Sequence, residues 1–189
     1  MRGAIGAEPR WGREDDPGQA VERLLDAAGM VFARHGVFTA KVNDVAVQAG
    51  CSRGTLYRYF PDGDALRFAF VEREARRIGA EVAGQVRSIV DPGQRLVAAI
   101  LVSLDAVRGD EVLRAWFDPT AAGRTNQLAM QVEVVSSMLE PLVRDVHGRA
   151  GSTLATEWVV RVILSLLAHP ADPADERRML ERYLLRSLS

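Results

Sequence analysis

The chain has 189 residues, with 24 Lys plus Arg against 25 Asp plus Glu and a net charge of −1. That balance excludes a chain that is basic throughout, the global footprint of many nucleic-acid binders. An apolar content of 48% excludes disorder. A single cysteine excludes an intrachain disulfide and a cysteine-based zinc site.

The first eighteen residues carry scattered Gly and Pro with mixed charges and no packing pattern, so residues 1–18 read as a mobile tail with order beginning near Pro17. They lack the apolar stretch of a secretory signal. No apolar run reaches the ~18 residues that a membrane span needs. A cytoplasmic protein with no membrane partner is expected.

From Gln19 the pattern turns helical. Val21, Leu24, Leu25, Ala28, Val31 and Phe32 recur at three- and four-residue spacing, and Gly36 closes the helix. A short helix follows over Asn43–Ala49, Gly50 interrupts, and a second short helix covers Arg53–Tyr59 behind Ser52 as its cap. Pro61, Asp62 and Gly63 turn the chain into a longer helix through about Gln85. Further helices are read at Gln94–Arg108, Asp110–Phe117, Ala121–His147, Ser152–Ala168 and Ala174–Leu188, with Pro141 expected to kink or restart the Ala121–His147 segment. No alternating strand pattern occurs. The expected fold is all-α with about nine helices.

The informative stretch is Val42 to Phe60. Two short helices flank the turn Ala49–Gly50–Cys51–Ser52, where Gly50 has the freedom to take a positive φ. Val45, Ala46, Ala49, Cys51, Leu56 and Phe60 share an inner face. Arg53, Gly54, Thr55, Tyr57, Arg58 and Tyr59 lie on the outer one. This is a helix-turn-helix pattern whose second helix presents donors at its N-terminus. Between Val45 and Pro61 there are two arginines and no acid, although residues 1–66 together hold eight basic and nine acidic residues. On spacing alone, a generic pair of packed helices with a solvated face stays open.

Residues 20–66 resemble the N-terminal domain of TetR-type transcriptional regulators. The resemblance lies in Leu25–Asp26–Ala27–Ala28, Phe32, Gly36, Val42, Asp44–Val45–Ala46, Ala49–Gly50–Cys51–Ser52, Gly54–Thr55–Leu56–Tyr57 and Phe60–Pro61. It implies a homodimer whose third helix enters the major groove of a double-stranded DNA operator. The division it suggests is a helix-turn-helix DNA-binding domain over 19–66 and a ligand-binding and dimerisation domain over 67–189. Two positions depart from the family pattern. Lys41 stands where members often have Thr, and Gly63, between Asp62 and Asp64, stands where they commonly have Lys, which removes one expected phosphate contact.

On the DNA face, Tyr57 and Tyr59 are assigned to phosphate, as is Lys41. Ser52 caps the helix and reaches phosphate. Gly54 lets the groove wall approach. Arg53 and Thr55 are the base-reading candidates, since Arg can contact guanine bidentately. Arg58 reads either as a phosphate contact or as solvated. Arg10 and Arg13 read either as a minor-groove arm or as part of a solvated tail.

Residues 67–189 hold 16 basic and 16 acidic residues, so no strongly charged ligand is favoured. Phe70, Leu101, Leu104, Trp116, Phe117, Leu128, Met130, Val134 and Met138 are candidates to line a pocket for a small apolar effector, with plain core packing as the alternative. Arg124, Asn126, Gln127 and Gln131 are candidate orienting groups. Ser152–Ala168 is apolar nearly all round. With Ala174–Leu188 it is the expected dimer interface, through Trp158, Ile163, Leu166, Leu167, Leu180 and Leu184, unless both helices only complete the monomer's core.

His35, His147 and His169 lie near helix ends and read as caps or solvated groups, not metal ligands. Cys51 reads as core. No catalytic constellation, phosphate loop or nucleophile elbow occurs, so neither enzyme activity, cofactor nor metal is expected. The function expected is a homodimeric repressor released from a palindromic operator by a small, mainly apolar effector. The rival is a helical ligand-sequestering protein with weak or lost DNA binding.

Overall fold

The computed structural model describes residues 16–118, 121–131 and 133–188. Most of the expected tail, including Arg10 and Arg13, lies outside the described residues. The chain divides into two compact units, one ending at Phe70 and the other beginning at Val71. Among the described residues the fold is all-α, with no strand.

The N-terminal unit holds α1 (Pro17–His35), α2 (Val42–Gln48), α3 (Arg53–Tyr59) and the start of α4 (Gly63–Val86). Asp16 caps α1 by accepting from the Gly18 N–H at 3.2 Å, and Pro17 follows at the first helical position, where its missing N–H costs nothing. Leu24, Leu25, Ala28, Val31 and Phe32 bury one stripe of α1, and Val45, Ala46, Leu56, Phe60 and Leu66 close over it. Phe32 meets Phe70 edge to face, with centroids 5.5 Å apart.

The C-terminal unit continues α4 and adds α5 (Pro92–Gly109), α6 (Glu111–Arg114) with a 3-10 turn (Ala115–Phe117), α7 (Ala122–Gln131), α8 (Glu133–His147) and α9 (Ser152–Ala168). The last helix, α10 (Pro173–Met179), runs through a π-helical turn (Leu180–Leu184) into a final turn (Leu185–Leu188). Its core gathers Leu96, Ile100 and Leu104 of α5, Val143 of α8, Val159 and Leu167 of α9, and Leu180, Leu184 and Leu188.

Three boundaries differ from the sequence expectation. Asp91–Pro92 and Asp172–Pro173 begin helices where loops were expected. Each Asp side chain caps the first turn, bonding the Gln94 and Ala174 N–H groups at 2.7 and 2.9 Å. Pro141 does not restart its helix: α8 runs through it, from Glu133 to His147. The carbonyl that Pro141 leaves without an N–H belongs to Ser137, and both residues are exposed, so the missing bond does not bury an unpaired group.

One ionic contact ties the C-terminal unit together. Glu176 is only 1% exposed. Its carboxylate accepts two hydrogen bonds from Arg108, at 2.8 and 2.7 Å, and a third from the Ala171 N–H at 2.9 Å. Arg108 also donates to the Leu166 carbonyl at 3.0 Å. The end of α5, the end of α9 and the start of α10 are joined at one point. His147 adds a second tie, with Nδ1 2.7 Å from the Leu188 carbonyl.

The hydrogen bonds from Arg108 outweigh the cost of burial and hold the Glu176 carboxyl below its usual value near 4.5. Stabilisation from the pair is therefore complete above that value and fades as the pH falls through the lowered one. Glu176→Ala should cost about 2–3 kcal/mol near neutral pH, less than for a fully dry pair because Arg108 is partly exposed. Urea denaturation across pH 7 to 3 should show the gap between wild type and variant closing at the acid end. A constant gap would assign the loss to packing alone.

Candidate functional site

The turn between α2 and α3 is built as the sequence requires. Gly50 takes φ 67°, in the left-handed region, and the Cys51 N–H bonds the Ala46 carbonyl at 2.9 Å. Ser52 Oγ accepts from the Thr55 N–H at 3.0 Å and lies 3.0 Å from the Thr55 hydroxyl. The Ser52 and Thr55 hydroxyls therefore share the cap of α3. Burial pushes the Cys51 thiol up, so it stays protonated and unreactive at neutral pH.

Four side-chain positions of α3, Arg53, Gly54, Tyr57 and Arg58, are exposed, as is Lys41 just before α2. Tyr59 is half-buried. The arginines stack on the tyrosines. The Arg53 guanidinium lies 5.8 Å from the Tyr57 ring centroid, and that of Arg58 lies 5.0 Å from Tyr59, whose hydroxyl it also bonds at 3.2 Å. Arg58 is thus held against Tyr59 and not simply solvated. The structure adds Val47, an apolar side chain 73% exposed on α2. Its place two residues after Val45 puts it off the apolar stripe, and that offset was the available signal.

Gly63 has a packing reason. A Cβ there would lie 2.9 Å from Arg67 Nη1 and 3.1 Å from Val42 Cγ2. Arg67 is buried and fills that space. Its Nε donates to the Val37 carbonyl at 2.9 Å, its Nη2 reaches the Ala40 carbonyl at 3.4 Å, and its Nη1 bonds Asp64 at 3.0 Å. Asp62 caps α4 through the Ala65 N–H at 2.7 Å. The acids flanking Gly63 are therefore engaged in the fold.

The C-terminal unit contains an apolar cavity of about 340 Å³. Val71, Ile78, Gly79, Val82 and Val86 of α4 form one wall. Ala99, Ser103 and Val107 of α5, Trp116 and Phe117 of the 3-10 turn, Met138 and Leu142 of α8, and Ile163 and Leu164 of α9 form the others. Its polar side chains are mostly engaged. Glu74 accepts from Arg73 at 3.0 Å and Arg77 at 2.7 Å, and the Ser103 hydroxyl donates to the Ala99 carbonyl at 2.8 Å. A Cβ on Gly79 would lie 2.3 Å from Met138 Sδ, so this glycine lets the thioether cross α4.

Of the expected pocket residues, Trp116, Phe117 and Met138 line this cavity. Phe70 packs on Phe32 in the N-terminal unit, and Leu104 is spent in the α5 core. Leu101 packs against that core, Met130 packs beside Ala129, and Leu128 and Val134 lie off the lining. Arg124, Asn126 and Gln127 are also off the lining, and the Gln131 side chain lies outside the description. The α4 wall was missed because its residues are separated by charged ones that hide the stripe.

The interface expectation needs a similar correction. Leu167, Leu180 and Leu184 are buried inside the chain's own core, and Ile163 lines the cavity. Leu166 is half-buried against the core. Trp158 is 48% exposed and donates from Nε1 to Ser187 Oγ at 3.2 Å. Leu154, one turn before it on α9, and Met179 and Tyr183, four residues apart at the end of α10 and in the π-helical turn, are also exposed. Among the described residues no three His, Cys, Asp or Glu side chains gather, and no single helix is long and apolar enough to cross a membrane.

A capped seven-residue helix with an arginine–tyrosine face, joined by a glycine turn to a second short helix, defines a helix-turn-helix protein. A family model described as bacterial regulatory proteins, tetR family, matches residues 24–70. The chain is 37% identical over 169 residues to the uncharacterized HTH-type transcriptional regulator MT1294 of Mycobacterium tuberculosis, covering 88% of this chain and 84% of that protein. It is 29% identical over 166 residues to the HTH-type transcriptional activator FasR of Mycolicibacterium smegmatis, covering 87% and 73%. In fold it matches RolR in complex with resorcinol, at TM-score 0.70 and 21% identity over 91% of this chain and 88% of that one. The chain belongs to the TetR family of helix-turn-helix transcriptional regulators and is not an enzyme.

Arg67→Met keeps the aliphatic stem but strips the donors from two carbonyls. It should lower the stability of the N-terminal unit by about 1–3 kcal/mol, the cost of buried acceptors left unpaired. Thermal melting followed by circular dichroism measures it, and an unchanged midpoint would show that water replaces the guanidinium.

Proposed function

We propose that the protein is a homodimeric repressor that binds a palindromic operator and is released by a small, mainly apolar effector. The observation that carries this reading is the exposed arginine–tyrosine face of α3, oriented by its Ser52 cap, in a chain of this family. Arg53 and Thr55 read bases. Lys41, Ser52, Tyr57, Arg58 and Tyr59 hold phosphate, and Gly54 admits the groove wall. Half-sites lie about one helical turn apart or somewhat more, ~34–36 Å at the shortest.

The cavity beside α4 is the effector site, and its apolar lining sets the effector's character. RolR, of the same fold, is described with resorcinol bound, a precedent for a small organic ligand. The effector favours the DNA-free conformation by binding it better. α4 passes from the N-terminal unit, where Arg67 anchors it, into the cavity wall, so its own backbone carries the coupling.

The second protomer docks on the exposed face of α9 and α10, through Leu154, Trp158, Met179 and Tyr183, in place of the buried leucines named from sequence. Against the rival ligand-sequestering reading, Gly63 makes room for Arg67 and its acidic neighbours have partners within the fold.

Gel shifts over a salt series, with the DNA upstream of the protein's own gene, test the DNA face. Tyr57→Phe should weaken binding to all sequences alike by about one phosphate contact, whereas Arg53→Ala should cost about 1–3 kcal/mol and relax preference at one base pair. Normal operator binding by both variants would refute the docking. FasR is named an activator; a reporter on the same DNA reads the sign, a rise on deletion of the gene meaning repression.

Trp158→Asp should shift the protein to monomer in sedimentation experiments and weaken operator binding while leaving the helical content intact. A variant that stays dimeric would move the interface elsewhere.

A further inference from the structure

Resting on the reading of the cavity as the effector site, the question is what its chemistry selects. The α4 wall runs from Val71 to Val86, which at ~1.5 Å per residue is about 22 Å, so the space is elongated along the helix. Within it the Glu74 carboxylate is neutralised by two arginines and the Ser103 hydroxyl is spent on its own helix. A charged group inside would therefore lack a partner, at a cost of several kcal/mol. The body of the ligand is apolar.

The exposed Pro141 end differs. Pro141 also belongs to a polar surface pocket formed with Arg144, Asp145, Gly148 and Arg149. Residues 138, 141 and 145 follow one another at helical spacing, so the pocket continues the cavity face of α8. The charges there are unevenly paired. Asp145 is held by Arg95 at 2.6 Å. Arg144 reaches Glu140 only at 4.0 Å, and its buried Nε has no hydrogen-bond partner. Arg149 is exposed and has no ion pair among the described residues. The C-terminal end of α8 contributes roughly −0.5 of a charge. Set against Glu140 and that half charge, the two arginines leave a positive surplus at the mouth.

We propose that the cavity takes an anionic amphiphile, with an elongated apolar tail along α4 and a carboxylate or phosphate head at the Pro141 end held by Arg144 and Arg149. Gly79 sets the width of the tail channel, because any side chain there drives Met138 into it.

Calorimetric titration of the purified full chain with dodecanoate, dodecyl phosphate and dodecanol tests this and separates the two sources of the anion. Wild type should bind one or both anions on the order of tenfold more tightly than the alcohol, as one or two exposed charge contacts allow. The Arg144→Ala/Arg149→Ala double variant should bring the anions down to the alcohol's level. Gly79→Ala should weaken all three alike. Equal binding of alcohol and anions to wild type, or an unchanged double variant, would overturn the head-group assignment while leaving the cavity as the effector site. If none of the three binds, and wild type still binds its operator, the effector reading of this cavity falls as well.

Discussion

The N-terminal unit depends on one buried guanidinium. α1 and α2 are joined by a short turn whose Val37 and Ala40 carbonyls point inward, where water cannot reach them easily. Arg67 answers both from α4 and is itself balanced by Asp64. Its five fixed donors make this possible; a lysine offers one point charge and would leave a carbonyl unpaired. Gly63 follows from the same constraint, because the space a side chain would take is already filled. The position of α2 against α1, and hence of the turn that presents α3, rests on this contact.

The same economy resolves the near-neutral charge. Two acids near the reading head also serve the fold: Asp62 caps α4 and Asp64 pairs with Arg67. The basic groups Lys41, Arg53 and Arg58 remain at the surface. A net charge of −1 limits non-specific attraction to phosphate, which grows with each neutralised phosphate, without touching a local basic face.

The helix-turn-helix was legible because each of its parts has a local cause. Gly50 is needed for its positive φ, Ser52 for the cap, and Val45, Ala46 and Leu56 for the inner face. Helix ends governed by proline were less legible, because proline's meaning depends on what surrounds it. After Asp91 or Asp172 it starts a helix; at Pro141, with Ser137 open to water, it sits inside one. The cavity and the free face of α9 were the least legible. Leu154 and Leu164 are equally apolar, yet one is exposed and the other lines the cavity, and only the path of neighbouring helices decides between them. The cavity hides for a related reason: Glu74, Arg76 and Arg77 interleave with the apolar stripe of α4 and make it look like a solvated helix.

An apolar void of about 340 Å³ is also an energetic statement. At ~24 cal/mol per Å³, leaving such a volume unfilled forfeits as much as ~8 kcal/mol, an upper bound because Ala83 and Pro141 open it to solvent. A whole domain keeps only about 5–15 kcal/mol of net stability, so a packing defect of this size would not persist by neglect. The rest of the unit is built to tolerate it. The Arg108–Glu176 contact pins three helix ends, and the α5–α9–α10 core is filled by leucines, leaving the α4 side as the part that can repack. A ligand that fills the void regains dispersion contacts and removes apolar wall from water. Gly79 lets the Met138 thioether lie close against α4, so the wall that such a ligand meets there is a flexible side chain.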